Sequence, residues 1–449
     1  MNHGRIRDPK QSAAISQTAI VNHSLILSFE MSLHKKNVVI VGGSFAGLSA
    51  AHYFLRHILP SLPYKDNYHV NIVDTSKDFM FRFAATRAVA SAKLMQTSNF
   101  FFPIADAFLQ YNPKSYTFVH AKAISVDTVT RTITFEHGVS GLESQKLSYD
   151  ALVIATGTRT PSPMLSLQST REGVDDALKE NHKRLQYART ILVAGGGPTG
   201  VETAGELGEH LNGRTYWFLS KLQNPRTKIT LLSGGKKILP RLRPTIAKQA
   251  EKYLAQVGVE VIHGIRVDSY KENDDGTTTA LLDNGEALTT DIYIPAAGVE
   301  PNTEWLPQAL LNERGYIKTN KVTLRVDEAG PRVYALGDVG SYTHGGVLDI
   351  YDAVPVALAN MKRDLLAATI SENAIPEGKD LLYRPNLTET QIVPIGRSKG
   401  VGAFRGWRLP SLVVWFIKGR KYMTDTVAVE IHSGSKWDKE RTWNATDAA

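Results

Sequence analysis

The chain has 449 residues, 42% of them hydrophobic and 21% charged, which is typical of an ordinary folded protein with two or three domains. It has no cysteine, and this excludes disulfides, iron–sulfur clusters, zinc–thiolate sites, thiol nucleophiles and redox dithiols. The formal net charge is +8 and the basic residues are scattered, which predicts a solvated surface that also suits anionic cofactors or membrane headgroups.

Residues 1–34 are predicted to be a polar, disordered N-terminal extension. Arg5, Arg7 and Lys10 with few acidic neighbours fit a mitochondrial presequence, although the amphipathic pattern is weak. The alternative is that Met31 is the true start of the protein. Neither Met1 nor Met31 is followed by glycine, so the sequence does not indicate N-myristoylation.

The first strong pattern is "VVIVGGSFAGLSAA", a buried β-branched strand, a glycine turn and a helix. Gly42, Gly43 and Gly47 match a dinucleotide-binding turn, but Ser44 stands where G-x-G-x-x-G has its second glycine. A serine on such a turn is also typical of the G-x-S-x-G nucleophile elbow of hydrolases. Ala46 replaces the last glycine of that elbow, which favours a phosphate cradle.

A second buried strand, "YHVNIVD", ends at Asp74, the place where an acid binds a ribose. The interval of 32 residues from Gly42 exceeds the usual ~20, and a proline-containing loop accounts for the excess. A solvated acid at a strand end is the alternative. An antiparallel hairpin in "ISVDTVTRTITFEHG" and a buried strand in "YDALVIATGT" are predicted next.

The strand, turn and helix pattern then recurs in "ILVAGGGPTGVETAGEL", 153 positions after the first copy. Gly195, Gly197 and Gly200 fill all three positions of G-x-G-x-x-G. "TKITLLSGG" supplies the next strand, Asn284 and Gly285 a hairpin turn, and "RVYALGDV" another strand that ends in a glycine turn. The repeat predicts an α/β protein with two Rossmann-like domains, one inserted in the other, and a C-terminal α+β region.

The predicted domain bounds follow from these patterns. Residues 35–160 and 291–365 form the first dinucleotide-binding domain, residues 161–290 the inserted one, and residues 366–449 the C-terminal domain and tail. The tail includes "LPSLVVWFIKGRKYM", an apolar stretch with Lys418, Arg420 and Lys421. Two interpretations stay open, a segment that rests on a membrane surface and a packed helix under a basic rim. No stretch has the roughly 18 consecutive apolar residues of a membrane span.

The ordered set "VVIVGGSFAG", "YDALVIATGT", "ILVAGGGPTGVE", "IPAAGVEPNT" and "VYALGDV" resembles the two-dinucleotide flavoprotein reductases, which include glutathione reductase, ferredoxin reductases and type II NADH dehydrogenases. The resemblance covers about residues 36 to 340. "FRFAATRAVAS" and the tail look most similar to the apoptosis-inducing-factor-like branch with the ferroptosis suppressors. The fold implied is therefore of the glutathione-reductase type.

The resemblance implies a role for each matching position. The FAD pyrophosphate would lie on Gly42, Gly43, Ser44, Phe45, Ala46 and Gly47. Further FAD contacts would come from Asp74 at the adenine ribose, Arg87, the backbone of Ala123 and Asp338 on the ribityl side. NADH or NADPH would bind at Gly195, Gly197 and Gly200, with Glu202 near the nicotinamide.

Two departures from the family pattern limit the chemistry. Without cysteine, disulfide reduction and a sulfide:quinone reductase mechanism are both excluded. In the inserted domain, Ser233 replaces the strand-end acid that binds the ribose of NAD, and Lys236 and Lys237 follow. We therefore expect NADPH to be accepted, because an acid would repel its 2′-phosphate and lysines would attract it.

The predicted reaction is hydride transfer from NAD(P)H to FAD and then electron delivery to a quinone-like small molecule. The flavin carries the chemistry, so no catalytic side chain and no metal are predicted, nor is specific nucleic-acid binding; the oligomeric state is open. The expected location is intracellular, cytoplasmic or mitochondrial, with peripheral membrane contact as an option. The alternatives are a flavin-dependent oxidase or monooxygenase, a basic nucleic-acid-binding death effector with a structural flavin, and a hydrolase with Ser44 as nucleophile and a later histidine such as His344.

Overall fold

The apolar run before the first glycine turn forms a central strand, Lys36–Val41, which is buried from Val38 onward in the computed structural model of the chain. The structure describes residues 35–137, 144–168, 170–343, 345–372, 374–444 and 447–448. The predictions for residues 1–34 and for His344 lie outside the described residues.

The strands, in chain order, are β1 Lys36–Val41, β2 Tyr68–Asp74, β3 Asp78–Met80, β4 Phe101–Pro103, β5 Tyr116–Asp127, β6 Thr132–His137, β7 Gln145–Ser148, β8 Ala151–Ile154, β9 Thr158–Arg159, β10 Thr190–Ala194, β11 Lys228–Ser233, β12 Val259–His263, β13 Val267–Glu272, β14 Thr278–Leu282, β15 Ala287–Thr290, β16 Ile292–Pro295, β17 Glu300–Pro301, β18 Val333–Ala335, β19 Gln391–Ile395, β20 Lys399–Phe404 and β21 Trp407–Arg408. The α-helices are α1 Phe45–Tyr53, α2 Ala85–Ala90, α3 Arg171–Leu185, α4 Pro198–Asn212, α5 Pro244–Ala255, α6 Val347–Ile370, α7 Ser411–Val414 and α8 Val427–Ser433.

A seven-stranded sheet carries the first glycine turn, in the order β18-β8-β1-β2-β5-β6-β7. Strands β18, β8, β1, β2 and β5 are parallel, and β5, β6 and β7 are antiparallel, as the hairpin pattern predicts. The parallel core strands are buried on both faces, which explains why β1 and β8 are continuous apolar runs rather than alternating ones. The carboxyl ends of β1, β2, β8 and β18 meet at one edge.

A four-stranded parallel sheet, in the order β12-β11-β10-β16, carries the second glycine turn. Its strand β16 pairs with β10 from Ile191 opposite Ile292 to Ala194 opposite Pro295. The predicted domain bound before residue 291 had placed this strand in the first domain. The difference arises because the chain completes the hairpin β14–β15, adds β16 to the second sheet, and only then returns to the first.

The C-terminal region is α+β, as expected, with the antiparallel sheet β19-β20-β21 followed by α7, a π-helical turn Trp415–Gly419 and α8. The two parallel-sheet units and this region confirm the predicted fold class. Among the described residues, no helix is long and apolar enough to cross a bilayer.

The tail is fastened to α1 of the first unit by a buried histidine. The Nδ1 of His52 lies 2.9 Å from Tyr111 Oη, and its Nε2 lies 3.0 Å from the carbonyl oxygen of His432 near the chain end. Burial lowers the pKa of His52 to about 3, so the ring is neutral at physiological pH. The tail is therefore held against the first unit by contacts that do not change with pH in this range.

Candidate functional site

The first glycine turn brings three backbone segments into contact at the carboxyl edge of the seven-stranded sheet. Gly42 has φ +112°, and a Cβ there would lie 2.3 Å from the Ala155 carbonyl oxygen. A Cβ on Gly47 would lie 1.7 Å from the Gly42 carbonyl oxygen, so α1 packs against the turn at a distance that only glycine permits. Ser44 is the N-cap of α1, and its side chain makes no capping hydrogen bond. Ser44 thus does not cap the N–H groups at the start of α1, and free N–H groups at a helix N-terminus are suited to binding an anion such as a pyrophosphate.

Asp74 closes this site at the end of β2. Its Oδ2 accepts a hydrogen bond from the Gly43 N–H at 2.5 Å, and its Oδ1 accepts one from Ser76 N–H at 2.7 Å. Burial raises the pKa of Asp74, and the two backbone hydrogen bonds act in the opposite direction. The carboxylate therefore stands next to the turn, where sequence analysis places the adenine ribose.

The second glycine turn repeats the first in its hydrogen bonds. The Gly42 N–H donates to Val73 at 2.8 Å, and the Gly195 N–H donates to Leu232 at 2.9 Å. Gly195 has φ +140°, and a Cβ on Gly200 would lie 1.9 Å from the Gly195 carbonyl oxygen. A Cβ on Gly197 would meet nothing within 4 Å, which leaves open space above the N-terminus of α4. The two turns therefore have the same backbone arrangement, and we call them the first and the second cradle.

Ser233 occupies the position in the second unit that Asp74 occupies in the first. Each directly follows the residue whose carbonyl binds the turn, and a Cβ on Gly196 would lie 2.4 Å from Ser233 Oγ. In the structure, as in the sequence, Ser233 therefore stands where the first unit has the carboxylate of Asp74. Among the lysines, the Lys237 ammonium donates to the Leu242 carbonyl, whereas Lys236 is exposed.

Arg266 is a further cation at this position, and sequence analysis missed it. Its side chain lies over the backbone of Gly234, where a Cβ would be 2.4 Å from Arg266 Nε. Residue 266 follows β12 in a loop, so no local motif marks it. The parallel pairing of β11 and β12 brings it beside the end of β11.

Asp338 lies after β18, at the same sheet edge as the first turn and just before α6. Its Oδ1 is 3.4 Å from the Gly346 N–H at the N-terminus of α6. Arg82 faces it from the short helix before α2 and donates to the Thr158 carbonyl at 2.9 Å. Burial lowers the pKa of Arg82, and the charge of Asp338 acts in the opposite direction. Asp338 and Arg82 thus place two opposite charges near each other at this end of the first glycine turn.

Arg87 is buried and bonded away from the glycine turn. Its guanidinium donates to both carboxylate oxygens of Glu206, at 2.8 and 3.1 Å, and to the Arg420 carbonyl at 3.1 Å. The ring of Tyr422 covers it, with the Arg87 Cζ 4.6 Å from the ring centroid. Burial acts to lower the pKa of Arg87, but Glu206 outweighs it and the pKa is raised. These contacts make Arg87 a link between α2, α4 and the tail.

Glu202 lies one helical turn before Glu206 on α4 and pairs with Lys418. The Lys418 ammonium donates to Glu202 Oε1 at 2.5 Å, and Thr86 Oγ1 lies 3.4 Å from Oε2. Burial raises the pKa of Glu202 to about 7, while Lys418 acts to lower it. The ammonium also lies 5.0 Å from the ring centroid of half-buried Phe83. A buried ion pair therefore joins the second unit to the tail beside residues of the first.

The "FMFRF" segment builds an aromatic wall on the first turn. Phe45 of α1 packs against Phe79, Phe81 and Phe83, with ring centroids 5.1, 5.4 and 5.5 Å away. Phe45 and Phe83 keep part of their surface exposed. The wall supplies a rigid apolar side to the space between the first turn and the Glu202–Lys418 pair.

The predicted site residues thus fall into three groups. Those of the first turn, with Asp74 and Asp338, share the carboxyl edge of the large sheet, and Ala123 lies on β5 opposite Phe135, three residues beyond the partner of Asp74. Gly195, Gly197 and Gly200 form the second cradle. Arg87 and Glu202 lie in the ionic cluster between the units.

Sequence analysis missed Arg82, Thr86, Glu206, Lys418 and Tyr422 as site residues. Only Glu206 had a local signal, because it follows Glu202 by four positions and so shares its helix face. The interpretation of Lys418 as part of a basic rim is wrong, since its side chain is only 9% exposed and is paired with Glu202. Arg420 and Lys421 are exposed as that interpretation requires. Within the described ranges, no group of three or more His, Asp or Glu side chains is placed to hold a metal ion.

Comparison with known proteins places these features in a family. The family model described as pyridine nucleotide-disulphide oxidoreductase matches residues 36–359. The oxidoreductase phnG of Penicillium herquei is 43% identical over 420 residues, which cover 92% of this chain and 100% of the relative. Ferroptosis suppressor protein 1 of Homo sapiens is 24% identical over 400 residues, covering 87% of this chain and 94% of the relative.

Solved structures show the same fold at low sequence identity. The sulfide:quinone oxidoreductase from Aquifex aeolicus is 14% identical with a TM-score of 0.68, covering 89% of this chain and 92% of that one. The water-forming NADH oxidase from Lactobacillus brevis is 16% identical with a TM-score of 0.56, covering 82% and 74%. At these sequence identities, both similarities show a shared fold.

Proposed function

The chain belongs to the pyridine nucleotide-disulphide oxidoreductase family and is an FAD-dependent NAD(P)H oxidoreductase, and from this premise we propose that it passes electrons from NADPH through FAD to a quinone-like small molecule. The observation that carries the proposal is the presence of two glycine turns with the same backbone arrangement. The buried Glu202–Lys418 ion pair joins the unit of the second turn to the tail. An intracellular location, cytoplasmic or mitochondrial, stays a prediction of the sequence.

The residues of the first cradle fit FAD. The contacts at Gly42 and Gly47 leave no room for side chains, so the backbone itself would face the pyrophosphate. Asp74 would bind the adenine ribose, Ala123 would contact the adenine half through its backbone, and Asp338 with the N-terminus of α6 would lie toward the flavin ring. Arg82, rather than Arg87, is the half-buried arginine on this side, whereas Arg87 is buried.

The second cradle favours NADPH over NADH. Gly197 leaves open space for the pyrophosphate, and Ser233 presents no carboxylate to the 2′ position of the ribose. Lys236 and Arg266 flank Ser233 and would attract a 2′-phosphate, Arg266 with the planar fork of donors that suits phosphate. The preference thus follows from one missing negative charge and two added positive ones.

Bound flavin supplies a centre that accepts a hydride from the nicotinamide and releases the electrons to an acceptor. The protein contributes alignment and exclusion of water. Glu202 holds the Lys418 ammonium at a fixed place beside Phe83, which fixes the tail next to the first unit. Arg87, Glu206 and Tyr422 form a buried, hydrogen-bonded cluster next to it between α2 and α4.

The absence of cysteine and the partly exposed aromatic rings near the first glycine turn both support a quinone-like acceptor. Without cysteine, no protein thiol carries electrons onward, so the acceptor must approach the flavin itself. The partly exposed rings of Phe45 and Phe83 suit a planar apolar molecule. One structural neighbour is titled a sulfide:quinone oxidoreductase and others are ferredoxin-type reductases, so small-molecule and protein acceptors both occur on this fold.

Steady-state turnover with a panel of acceptors tests the proposal. We expect purified protein to oxidise NADPH rapidly with a short-chain benzoquinone and slowly with oxygen or a ferredoxin. Oxygen consumption that matches NADPH oxidation without added quinone would instead identify an oxidase or monooxygenase. Hydrolysis of an ester by a protein without a visible flavin band would identify the hydrolase.

A further inference from the structure

The C-terminal region exposes several large apolar side chains within a short segment. Trp407 is 81% exposed, Leu412 72% and Phe416 62%. The exposed side chains of Phe404, Val413 and Ile417 complete the set. We call these six residues the apolar surface. They lie within 14 consecutive positions of the sequence.

Packing explains why this surface faces outward. Val414 of α7 packs on β20, where a Cβ on Gly400 would lie 2.3 Å from Val414 Cγ1. The Ser411 hydroxyl also accepts the Gly400 N–H at 2.9 Å, which fixes the start of α7 on the strand. With Val414 and Ser411 turned to β20, Leu412 and Val413 are directed away from the protein. The glycines of β20 therefore permit a short helix whose outer face has no partner within the described part of the chain.

The segment that carries the apolar surface is basic, and the carboxylates beside it come from its two flanks, where Asp425 pairs with Lys421 and Glu389 pairs with Arg243. Between Glu389 and Asp425 the sequence contains no acidic residue and seven basic ones. Two of the exposed arginines lie on aromatic rings of the surface, Arg405 at 5.5 Å from the Phe404 centroid and Arg420 at 5.4 Å from that of Phe416. Aromatic and aliphatic side chains rimmed by arginine and lysine are typical of segments that lie in a bilayer interface.

We propose that the apolar surface docks on the headgroup region of an anionic lipid bilayer. Leu412 and Phe416 would enter the acyl boundary, and Arg405, Arg408 and Arg420 would contact lipid phosphates. A second copy of the chain is a poorer occupant, because a two-fold contact would bring these cations against the same cations with no carboxylate from the segment between them.

The same segment connects the surface to the site, and this part rests on the proposed function. Phe416 and Ile417 are exposed, whereas the next residue, Lys418, points inward to Glu202. These three residues belong to one π-helical turn, Trp415–Gly419, a geometry often found at functional sites. A quinone dissolved in the bilayer would therefore reach the protein within one helical turn of Lys418.

Vesicle flotation of the full chain tests the docking surface. Wild type should float with vesicles that contain phosphatidylserine and much less with phosphatidylcholine alone. The L412S/F416S variant should lose about tenfold or more of this binding, because each buried apolar side chain contributes about 1.5–3 kcal/mol. The R405Q/R408Q variant should lose the preference for phosphatidylserine.

The matched control is W217S/F218S, which removes two equally exposed aromatic side chains from a loop of the second unit. It should float like wild type. The proposal is overturned if wild type stays unbound, if L412S/F416S floats like wild type, or if the control loses binding to the same extent. It is also overturned if wild type is a dimer that L412S/F416S converts to a monomer, since a second copy then covers the surface.

Turnover separates this inference from the proposed function. With a water-soluble short-chain quinone, L412S/F416S should keep the wild-type rate, and with a long-chain quinone embedded in the vesicles it should lose rate as it loses binding. A wild type that floats but reduces neither quinone would contradict the proposed acceptor and leave the docking surface established. A variant that stops floating and keeps its rate with the embedded quinone would contradict the delivery route.

Discussion

The ammonium of Lys418 lies 2.5 Å from Oε1 of Glu202, across 216 residues of sequence. The two side chains are 9% and 3% exposed, so this is a buried ion pair. It fastens the tail to the helix that begins at the second glycine cradle, and Thr86 ties the same carboxylate to the first unit. The pair is therefore one of the contacts, with those of Arg87 and His52, that hold the tail against the two units.

Removal of one partner of this pair should destabilise the protein strongly. In K418M, Glu202 loses the cation that lowers its pKa, so it must take up a proton or stay buried as an unpaired charge, which costs up to about 3–5 kcal/mol. The double variant K418M/E202Q should recover most of this loss, because it buries neither charge. Denaturant unfolding of wild type, K418M and the double variant measures both effects. Equal stability of K418M and wild type would show that the pair does not hold the tail.

The stability of the protein should change with pH because of the raised pKa of Glu202. Its pKa is about 7 in the folded protein, against an ordinary value of 4.5, so the folded state binds a proton that the unfolded state releases. The stabilising contribution of the proton is complete below pH 4.5 and is lost as pH rises through about 7. Relative to K418M/E202Q, wild type should therefore lose thermal stability between pH 5 and pH 8. Parallel melting curves of the two proteins across this range would contradict the raised pKa.

A side chain at Gly197 should block the nucleotide without disturbing the fold. The backbone there has φ −78°, which any residue adopts, and a Cβ would meet nothing within 4 Å. In G197V the new methyl groups would project into the space assigned to the pyrophosphate. We expect unchanged flavin content and melting temperature, and an increase in KM for NADPH of about tenfold or more. Unchanged kinetics would place the nucleotide elsewhere.

The nucleotide preference should respond to Ser233 and Arg266. In S233D a carboxylate returns to the strand end and should shift the ratio of kcat/KM values toward NADH. In R266A the loss of a charge-assisted hydrogen bond, worth about 1.5–3 kcal/mol, should raise KM for NADPH about 10- to 100-fold and leave NADH little changed. Steady-state kinetics with both nucleotides measure the ratio. A wild type that prefers NADH, or equal effects of R266A on both nucleotides, would contradict the assignment.

Local signals account for what the sequence predicts well. Gly42 and Gly195 are recognisable because a turn that brings the backbone this close to its neighbours tolerates only glycine, and Asp74 and Ser233 because they end buried strands next to it. Ser44 is compatible with the cradle and sits where α1 begins, which agrees with its interpretation as a phosphate-side residue.

Tertiary contacts account for what the sequence does not predict. Lys418 has the sequence context of a surface lysine, and only the packing of the π-helical turn against Phe83 and Glu202 buries it. Arg266 lies beside Gly234 at the end of β11 because neighbouring strands pair, and Arg87 takes Glu206 as its partner because α2 packs on α4. The predicted domain boundary before residue 291 differs from the sheet pairing for a related reason, since the sequence of β16 does not indicate which sheet the strand joins.

The most direct test of the central claim is anaerobic stopped-flow spectroscopy of the purified wild-type protein in two steps. We expect NADPH to bleach the visible flavin band rapidly and NADH more slowly, and a benzoquinone then to restore the band within the time of one turnover. A colourless protein, a flavin that neither nucleotide reduces, or a reduced flavin that oxygen reoxidises and no quinone does, would contradict it.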